Sequence, residues 1–351
     1  MRIAIAAGGT GGHIYPGIAL AQAIKRRDPQ ATILFLGSDE GLEKELITRE
    51  GYDLKLIKAR ALLRKLSYKA VSAPFVSFVG FIQSLIILKN FAADVVVSTG
   101  GYASLPVVLA AKLLRLPIVL HEQNVLPGAV NRLSRKMASK CFLSFSQSKK
   151  YLQGEVVGNP IRREIILADR ATARKKFNLA GEKTVLVMGG SQGAKKINET
   201  VLSSLADLPA GVRVLHIIGL RDSGWVNSYL AGKEIKNYEA LPYIHDIASA
   251  LAAADLVISR AGATAIAEFL VRGLPMILIP FPFAAEDHQR LNANVIADGG
   301  AAAVVEDKDF TPNKFIALIN DNSLNYDTMK QAARALARPE AAERIVDYLY
   351  A

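Results

Sequence analysis

The residues best suited to chemistry gather in short runs: GGTGGH at 8–13, STGGY at 98–102, HEQN at 121–124, GGSQG at 189–193, RAGAT at 260–264 and PFPFAAEDHQ at 280–289. In GGTGGH the glycines permit positive φ and close backbone approach, and a helix opening there offers N–H groups to an anion. A tight strand-to-helix turn without a ligand is the plainer alternative. The dinucleotide fingerprint is broken, because counting from Gly9 its third glycine would fall on Ile14. No G-x-x-x-x-G-K-[ST] phosphate loop occurs either. His13 is a candidate general base near neutral pH, or a helix-start histidine satisfied by local hydrogen bonds.

GGSQGAKKIN pairs backbone N–H groups with the Ser191 hydroxyl and a helix start, which suits a diphosphate. Alternatively Ser191 only caps that helix. In SRAGATAIAEFLVRG, Gly262 opens a helix and Glu268 lies within it. A carboxylate there can accept two hydrogen bonds from a ribose 2′,3′-diol. Set among Ala265, Ile266, Ala267, Phe269 and Leu270, it needs a partner if buried, and a solvated face if not. HEQN, at the end of an apolar run, fits hydrogen bonding to a polyhydroxylated ligand or a capping turn. Asp307-Lys308-Asp309 has the look of a D-x-D metal site, but Asp309 or Thr311 more simply caps the helix that follows. No cluster has convincing metal spacing, and no metal or cofactor is expected.

Each of these runs follows an apolar strand-like segment. RIAIA, ATILFLG, LKLIK, DVVVS and PIVLHE alternate with helical patterns at 17–27, 42–50 and 102–114. KTVLVMG, RVLHIIG, DLVISRA and PMILIPF repeat the theme, with helical stretches at 247–254 and 264–272. The pattern predicts an α/β protein of two Rossmann-like, doubly wound parallel-sheet domains, the loops at the strands' carboxyl ends facing across a cleft. IAIAAGGTGGH and TVLVMGGSQGA each open a domain. We place the domains at 1–158 and 159–325, with helices at 326–351, interrupted near Pro339, packing back on the first.

The 351 residues suit two domains, and a single cysteine, Cys141, rules out an intrachain disulfide framework. The run Ile3–Ala7 is too short for a signal peptide. The net charge of +11 is uneven: residues 1–158 hold 21 Lys/Arg and 10 Asp/Glu, the remainder 22 of each. The first half is therefore expected to meet something anionic. Residues 55–93 contain seven basic residues (Lys55, Lys58, Arg60, Arg64, Lys65, Lys69 and Lys89) and no acid, and 70–88 carries no charge. A transmembrane span is disfavoured by the surrounding βα pattern and by its small and polar residues. On a helical wheel Ser72, Pro74, Ser77, Gly80, Gln83 and Ser84 share one arc, and Phe75, Phe78, Val79, Ile82, Leu85 and Ile86 lie opposite. With Arg64, Lys65 and Lys69 beside it, this reads as a membrane-surface element, a buried helix being the alternative.

Taken in order, GGTGGHIYP, STGGYAS, HEQN, GNPIR, GGSQGA, SRAGATAIAE and DHQRLNA resemble the MurG family, the N-acetylglucosaminyltransferases of peptidoglycan synthesis, over nearly the whole chain. The resemblance implies a GT-B fold and inverting transfer of GlcNAc from UDP-GlcNAc to the 4-hydroxyl of MurNAc in undecaprenyl-diphospho-MurNAc-pentapeptide. It implies action as a peripheral protein at the anionic cytoplasmic face of the cell membrane, in cell-wall growth, cell shape and division, without nucleic acid and without a D-x-D metal. Residue by residue it makes His13 the suspected base and Thr10, Gly11 and Gly12 the loop reaching donor or acceptor diphosphate. Asn124 and Arg162 match donor-site positions, Ser191 the donor diphosphate contact and Ile244 a backbone contact to uracil. Ala263, Thr264, Ala265, Ile266 and Ala267 surround sugar and phosphates, Glu268 takes the ribose and Gln289 the GlcNAc. Departures are Gln192 in the second glycine loop, FAAE at 283–286, and phenylalanine rather than tryptophan on the membrane face. The alternatives are another GT-B enzyme, such as a UDP-GlcNAc 2-epimerase or a different lipid glycosyltransferase, a dinucleotide-dependent oxidoreductase, and a basic scaffold that binds membrane or nucleic acid. The broken fingerprint opposes the oxidoreductase, and the donor-like loops of the neutral half leave the scaffold unexplained.

Overall fold

The computed structural model describes residues 1–60, 68–190, 193–233, 235–320 and 324–351, with side chains from 75 onward in the helix that begins at Tyr68. Arg64, Lys65, Ser191 and the side chain of Lys69 therefore lie outside the described residues. Two compact units emerge: Met1–Arg162 with Arg338–Ala351, and Arg163–Ala337.

The first unit runs β1 (Arg2–Ala7), α1 (Gly11–Arg27), β2 (Thr32–Ser38), α2 (Glu43–Arg49), β3 (Asp53–Ile57), α3 (Tyr68–Phe91), β4 (Val95–Gly100), α4 (Ser104–Leu113), β5 (Ile118–Glu122), α5 (Ala129–Ser134), β6 (Lys140–Leu143) and β7 (Glu155–Val156). Its sheet is wholly parallel, in the order β3-β2-β1-β4-β5-β6-β7. The second unit opens with α6 (Arg163–Leu167) and α7 (Arg170–Lys176). It continues through β8 (Lys183–Met188), α8 (Lys195–Ser203), β9 (Val212–Ile217), α9 (Ser223–Leu230), β10 (Tyr238–Leu241), α10 (Ile247–Ala253), β11 (Leu256–Ser259), α11 (Ala263–Val271), β12 (Met276–Leu278), α12 (His288–Asp298), β13 (Ala302–Val304), α13 (Pro312–Asn320) and α14 (Tyr326–Leu336). Its parallel sheet has the order β10-β9-β8-β11-β12-β13. The last helix, α15 (Ala341–Leu349), returns to the first unit.

Both sheets bury apolar side chains on two faces, as crossover helices require. In the first unit Ile3, Ile5 and Phe35 pack on one side with Ile18 and Ile24, while Ala4, Leu34 and Leu36 pack on the other with Val107 and Val108. The chain's end divides differently from the sequence expectation, which sent 326–351 to the first domain. Helix α14 packs on α11, its Arg334 against Gly273 and Leu336 against Gly299. Only Arg338–Ala351 joins the first unit, where Ala342, Ile345 and Val346 enter the core beside α1 and Tyr350 donates to Asp28 at 3.0 Å. The break between α14 and α15 spans Ala337–Glu340, where Pro339 cannot continue a helix.

Helix α3 is apolar on the outside. Gly80, Ser84 and Leu88 are buried, Ser84 donating to Gly80 O at 2.7 Å. A Cβ on Gly80 would stand 2.0 Å from Lys58 O. The small arc thus faces the protein because only it admits the backbone of the β3 exit. Phe75 (72% exposed), Phe78 (59%), Ile82 (40%) and Ile86 (56%) form an outward stripe, with Val79 half-buried. Leu109 and Leu113 on α4 extend it. A wholly buried helix is excluded. No helix among the described residues is long and apolar enough to cross a membrane.

Candidate active site

In each sheet the strand order reverses once, between β1 and β4 in the first unit and between β8 and β11 in the second. Ligands of open parallel sheets bind beyond the carboxyl ends of the strands at such switch points. GGTGGH follows β1 and STGGY spans the end of β4. GGSQG follows β8 and RAGAT follows β11. Four glycine-bearing motifs thus occupy the two switch points.

At the first switch point, helix α1 starts at Gly11, earlier than the sequence pattern indicated, so Gly11, Gly12 and His13 form its first turn. Thr10 is the N-cap residue, extended at φ −132°, and its carbonyl accepts from His13 N at 3.0 Å and Ile14 N at 3.1 Å. A strut beneath the loop is Glu43, fully buried. Its Oε1 accepts from Gly9 N (2.8 Å), Ser38 N (3.0 Å) and Ser38 Oγ (2.8 Å). The carboxylate already takes the Gly9 N–H, so that donor is not open to a ligand.

The half-buried His13 ring lies against the end of β4, with Nδ1 2.9 Å from Thr99 O. A carbonyl only accepts, so Nδ1 carries the proton and Nε2 carries the lone pair. That is the tautomer a general base needs if Nε2 meets the substrate. Thr99 Oγ1 donates to His13 O at 2.7 Å and ties helix to strand. Gly101 makes room: at φ +85° a Cβ would stand 2.1 Å from Gly8 O and 3.2 Å from His13 Cδ2. Gly101→Ala should therefore cost about 3 kcal/mol of stability, through strain and a backbone collision. Denaturant unfolding measures this, and unchanged stability would mean that the loop relaxes freely.

HEQN turns mostly inward. His121, Glu122 and Gln123 are buried, and only Asn124 is half-exposed. Glu122 takes Asn124 N (2.9 Å) and Asn124 Nδ2 (3.3 Å) on Oε1, and Gly128 N (3.0 Å) and Asn131 Nδ2 (2.8 Å) on Oε2. The expected ligand-binding quartet narrows to Asn124, the others building the loop and the site's interior. Arg162, also buried, stacks its guanidinium over Tyr15 of α1, 4.1 Å from the ring centre.

At the second switch point the chain leaves β8 through Gly189 and Gly190, and α8 follows Ala194. Gly193, at φ +80°, sits where a Cβ would be 2.5 Å from Ile218 O. Under this loop runs a buried chain. Asn198 donates to Ile218 O and Asp222 Oδ2, both at 2.9 Å, and accepts from His216 Nε2 at 3.0 Å. His216 Nδ1 accepts from the Tyr238 hydroxyl at 3.0 Å. Burial pushes the His216 pKa down to about 3, so the ring stays neutral.

Helix α11 starts after Gly262, and Ala263, Thr264 and Ala265 form its first turn. Ile266 is core: it is fully buried and its N–H is bonded to Gly262 O at 3.0 Å. Ala267 is half-buried and Glu268 buried, 6% exposed. Gln289 Oε1 accepts from Ala261 N (3.2 Å) and Phe281 N (3.0 Å), leaving its NH₂ as the remaining donor. Ile244 is half-buried in the loop after β10, two strands from β8 in the sheet.

Sequence reading missed Arg260, 8% exposed, which donates to Ile279 O (3.2 Å) and Pro280 O (3.3 Å) and pairs with Asp307 at 2.6 Å. Within DKD, Asp307 holds the strand-end arginine, and of the two expected caps Thr311 accepts from Lys314 N at 3.2 Å at the start of α13. The residue types in SRAG carried that signal, but nothing in the order of residues linked 260 to 307. Among the described residues no group of His, Cys, Asp and Glu could hold a metal ion.

Two parallel-sheet units, each with glycine loops at its switch point, form a two-domain α/β arrangement of the GT-B type. The chain belongs to glycosyltransferase family 28, matching that family's N-terminal domain at residues 3–143 and its C-terminal domain at 184–345. It is 38% identical over 366 residues to the UDP-N-acetylglucosamine–N-acetylmuramyl-(pentapeptide) pyrophosphoryl-undecaprenol N-acetylglucosamine transferase of Desulforamulus reducens, covering 99% of this chain and 97% of that one. It is 36% identical over 362 residues to the transferase of that name from Acetivibrio thermocellus, with the same coverage. Among solved structures it resembles Acinetobacter baumannii MurG, with a TM-score of 0.75, 29% identity and 99% of each chain covered. The UDP-GlcNAc 2-epimerase of Neisseria meningitidis shares the fold, at TM-score 0.67 and 13% identity over all of both chains.

Proposed function

We propose that this enzyme moves GlcNAc from UDP-GlcNAc to the 4-hydroxyl of MurNAc in undecaprenyl-diphospho-MurNAc-pentapeptide, with inversion at the anomeric carbon. Similarity to the N-acetylglucosamine transferases over 99% of the chain carries this reading. The residues of the two units, taken separately, suit a chemistry for it. His13 Nε2 takes the proton of the acceptor hydroxyl as that oxygen attacks the anomeric carbon. The bond to UDP breaks with its electron pair on the diphosphate. The helix starts after GGSQG and at Gly262 are suited to the charge that grows there, and Glu268 to the ribose. The epimerase alternative is not favoured, since at 13% identity that likeness is one of fold. UDP release that requires the lipid acceptor tests the proposal. Equal release without acceptor would contradict it.

The same proposal places the first unit at an anionic membrane surface. The stripe Phe75, Phe78, Ile82 and Ile86 is larger than isolated exposed apolar residues would give. A groove of about 1440 Å³ beside it is lined by Phe78, Leu109 and Leu113 and by Lys112, Arg115 and Lys136. Apolar side chains at the acyl boundary with lysine and arginine at the headgroups would anchor a peripheral protein. Replacing Phe75 and Phe78 together by serine should lower partition onto anionic vesicles about 10-fold or more, with unfolding unchanged. Equal sedimentation of the two proteins would remove the stripe from the membrane.

A further inference from the structure

Behind His13 stands a buried polar chain. His13 Nδ1 lies 3.1 Å from Gln123 Oε1 as well as 2.9 Å from Thr99 O. Gln123 Nε2 donates to Thr99 O at 2.8 Å and reaches His121 Nδ1 at 3.0 Å. His121 Nε2 lies 2.9 Å from Gly158 O. Every proton can be assigned from the two carbonyls. Gly158 O only accepts, so His121 carries its proton on Nε2 and its lone pair on Nδ1. That lone pair takes one Gln123 N–H, and Thr99 O takes the other. The amide is thereby oriented with Oε1 toward His13. Flipping it would set NH₂ against the His13 N–H and Oε1 against the His121 lone pair. His121 and Gln123 are 0% and 2% exposed, so neither needs to meet substrate to serve this chain.

We infer that Gln123, held by His121, is a positioning residue that shares the His13 Nδ1–H with Thr99 O and steadies the imidazolium formed when Nε2 takes the acceptor's proton. The inference rests on the reading of His13 as base. The proton moves from the acceptor hydroxyl to Nε2 as the new C–O bond forms, and the electron pair of the broken bond leaves with UDP. The resulting cation keeps its Nδ1–H between two oxygen acceptors, an arrangement strengthened when the donor is charged. His121 must stay neutral for the chain to hold, and burial pushes its pKa down to about 4.

Nitrogen-15 NMR of the full-length protein with labelled histidine tests this without any variant. His13 is expected to show a protonated Nδ1 and an unprotonated Nε2, and a proton on Nε2 would overturn the inference. Gln123→Met, close in length but apolar, should lower kcat about 10-fold, leave KM for UDP-GlcNAc within about twofold, and broaden the His13 Nδ1–H signal, which Thr99 O then holds alone. His121→Phe should blur the same signal from one residue further away. Combined with His13→Ala, Gln123→Met should cost nothing more, because its effect runs through the ring. Wild-type kcat in folded Gln123→Met, or an equal further loss in the His13→Ala background, would overturn the inference. Wild-type turnover in His13→Ala alone would instead remove the base reading, and the Nδ1–H signal would still report whether Gln123 holds the ring.

Discussion

His13→Ala is expected to lower turnover at least about 100-fold, the loss that follows removal of a general base, while UDP-GlcNAc affinity changes by less than about twofold. The expectation comes from geometry. The ring is held at Nδ1 by Thr99 O at 2.9 Å, so Nε2 is its proton acceptor. Alanine removes that acceptor and leaves Thr10, Gly11 and Gly12 their backbone. The half-buried ring contributes modestly to packing, and Thr99 and Gln123 keep other hydrogen bonds. The loops after β8 and β11, to which we assign the donor, belong to the second unit, so donor affinity should change little. His13→Gln is the sharper variant. Its amide can still donate to Thr99 O, yet it has no basic nitrogen, so its turnover should fall as far. Steady-state kinetics with a short-chain acceptor reads both. Turnover near wild type in either variant would end the base assignment.

Glu268→Ala is expected to weaken UDP binding about 10- to 100-fold, the equivalent of about 1.4–2.7 kcal/mol, in the range of hydrogen bonds to a charged group. Glu268 is buried on α11, six residues beyond the helix's N-cap Gly262. A carboxylate that accepts hydrogen bonds from a diol makes charge-assisted bonds that alanine cannot replace. Glu268→Gln keeps the shape and one acceptor oxygen, so its loss should be smaller. The order wild type, glutamine, alanine in calorimetric UDP affinity supports the ribose role. Equal affinity in all three would assign Glu268 to the interior of the second unit alone.

The sequence made the central strands plain because they are apolar on both faces. β1, β2, β4, β5, β8, β9, β11 and β12 all lie in the apolar runs. β6, β7, β10 and β13 did not stand out. Each has two to four residues, and YEAL and EV carry a charge where edge strands meet water. The start of α1 was obscured by Gly11, Gly12 and Pro16, all poor helix formers. It is helical because the fold ties it down, through Thr10 O, Thr99 and the core around Ile14 and Ile18. Of the apolar arc drawn on the wheel of α3, Phe75, Phe78, Ile82 and Ile86 face outward while Leu85 packs on the core, and which arc faces inward depended on the backbone of Lys58 passing over Gly80.

The candidate site was legible as motifs and not as connections. Nothing along the chain links Glu43 to Gly9 or Arg260 to Asp307, since the partners sit at the ends of different strands. HEQN looked like four ligand-facing side chains because strand ends in such sheets line sites. The alternation of a strand and the tight turn after it instead direct three of them into the protein, where Glu122 and His121 satisfy the backbone. What the structure adds to His13 is a tautomer, a property no spacing of residues encodes.

The most direct measurement is the mass and anomeric configuration of the product made from UDP-GlcNAc and a short-chain polyprenyl-diphospho-MurNAc-pentapeptide. The account predicts one added GlcNAc joined in the β configuration, inverted from the α-linked donor, with UDP released in equal amount. A product without added GlcNAc, conversion of UDP-GlcNAc alone to its 2-epimer, or an α linkage would contradict it.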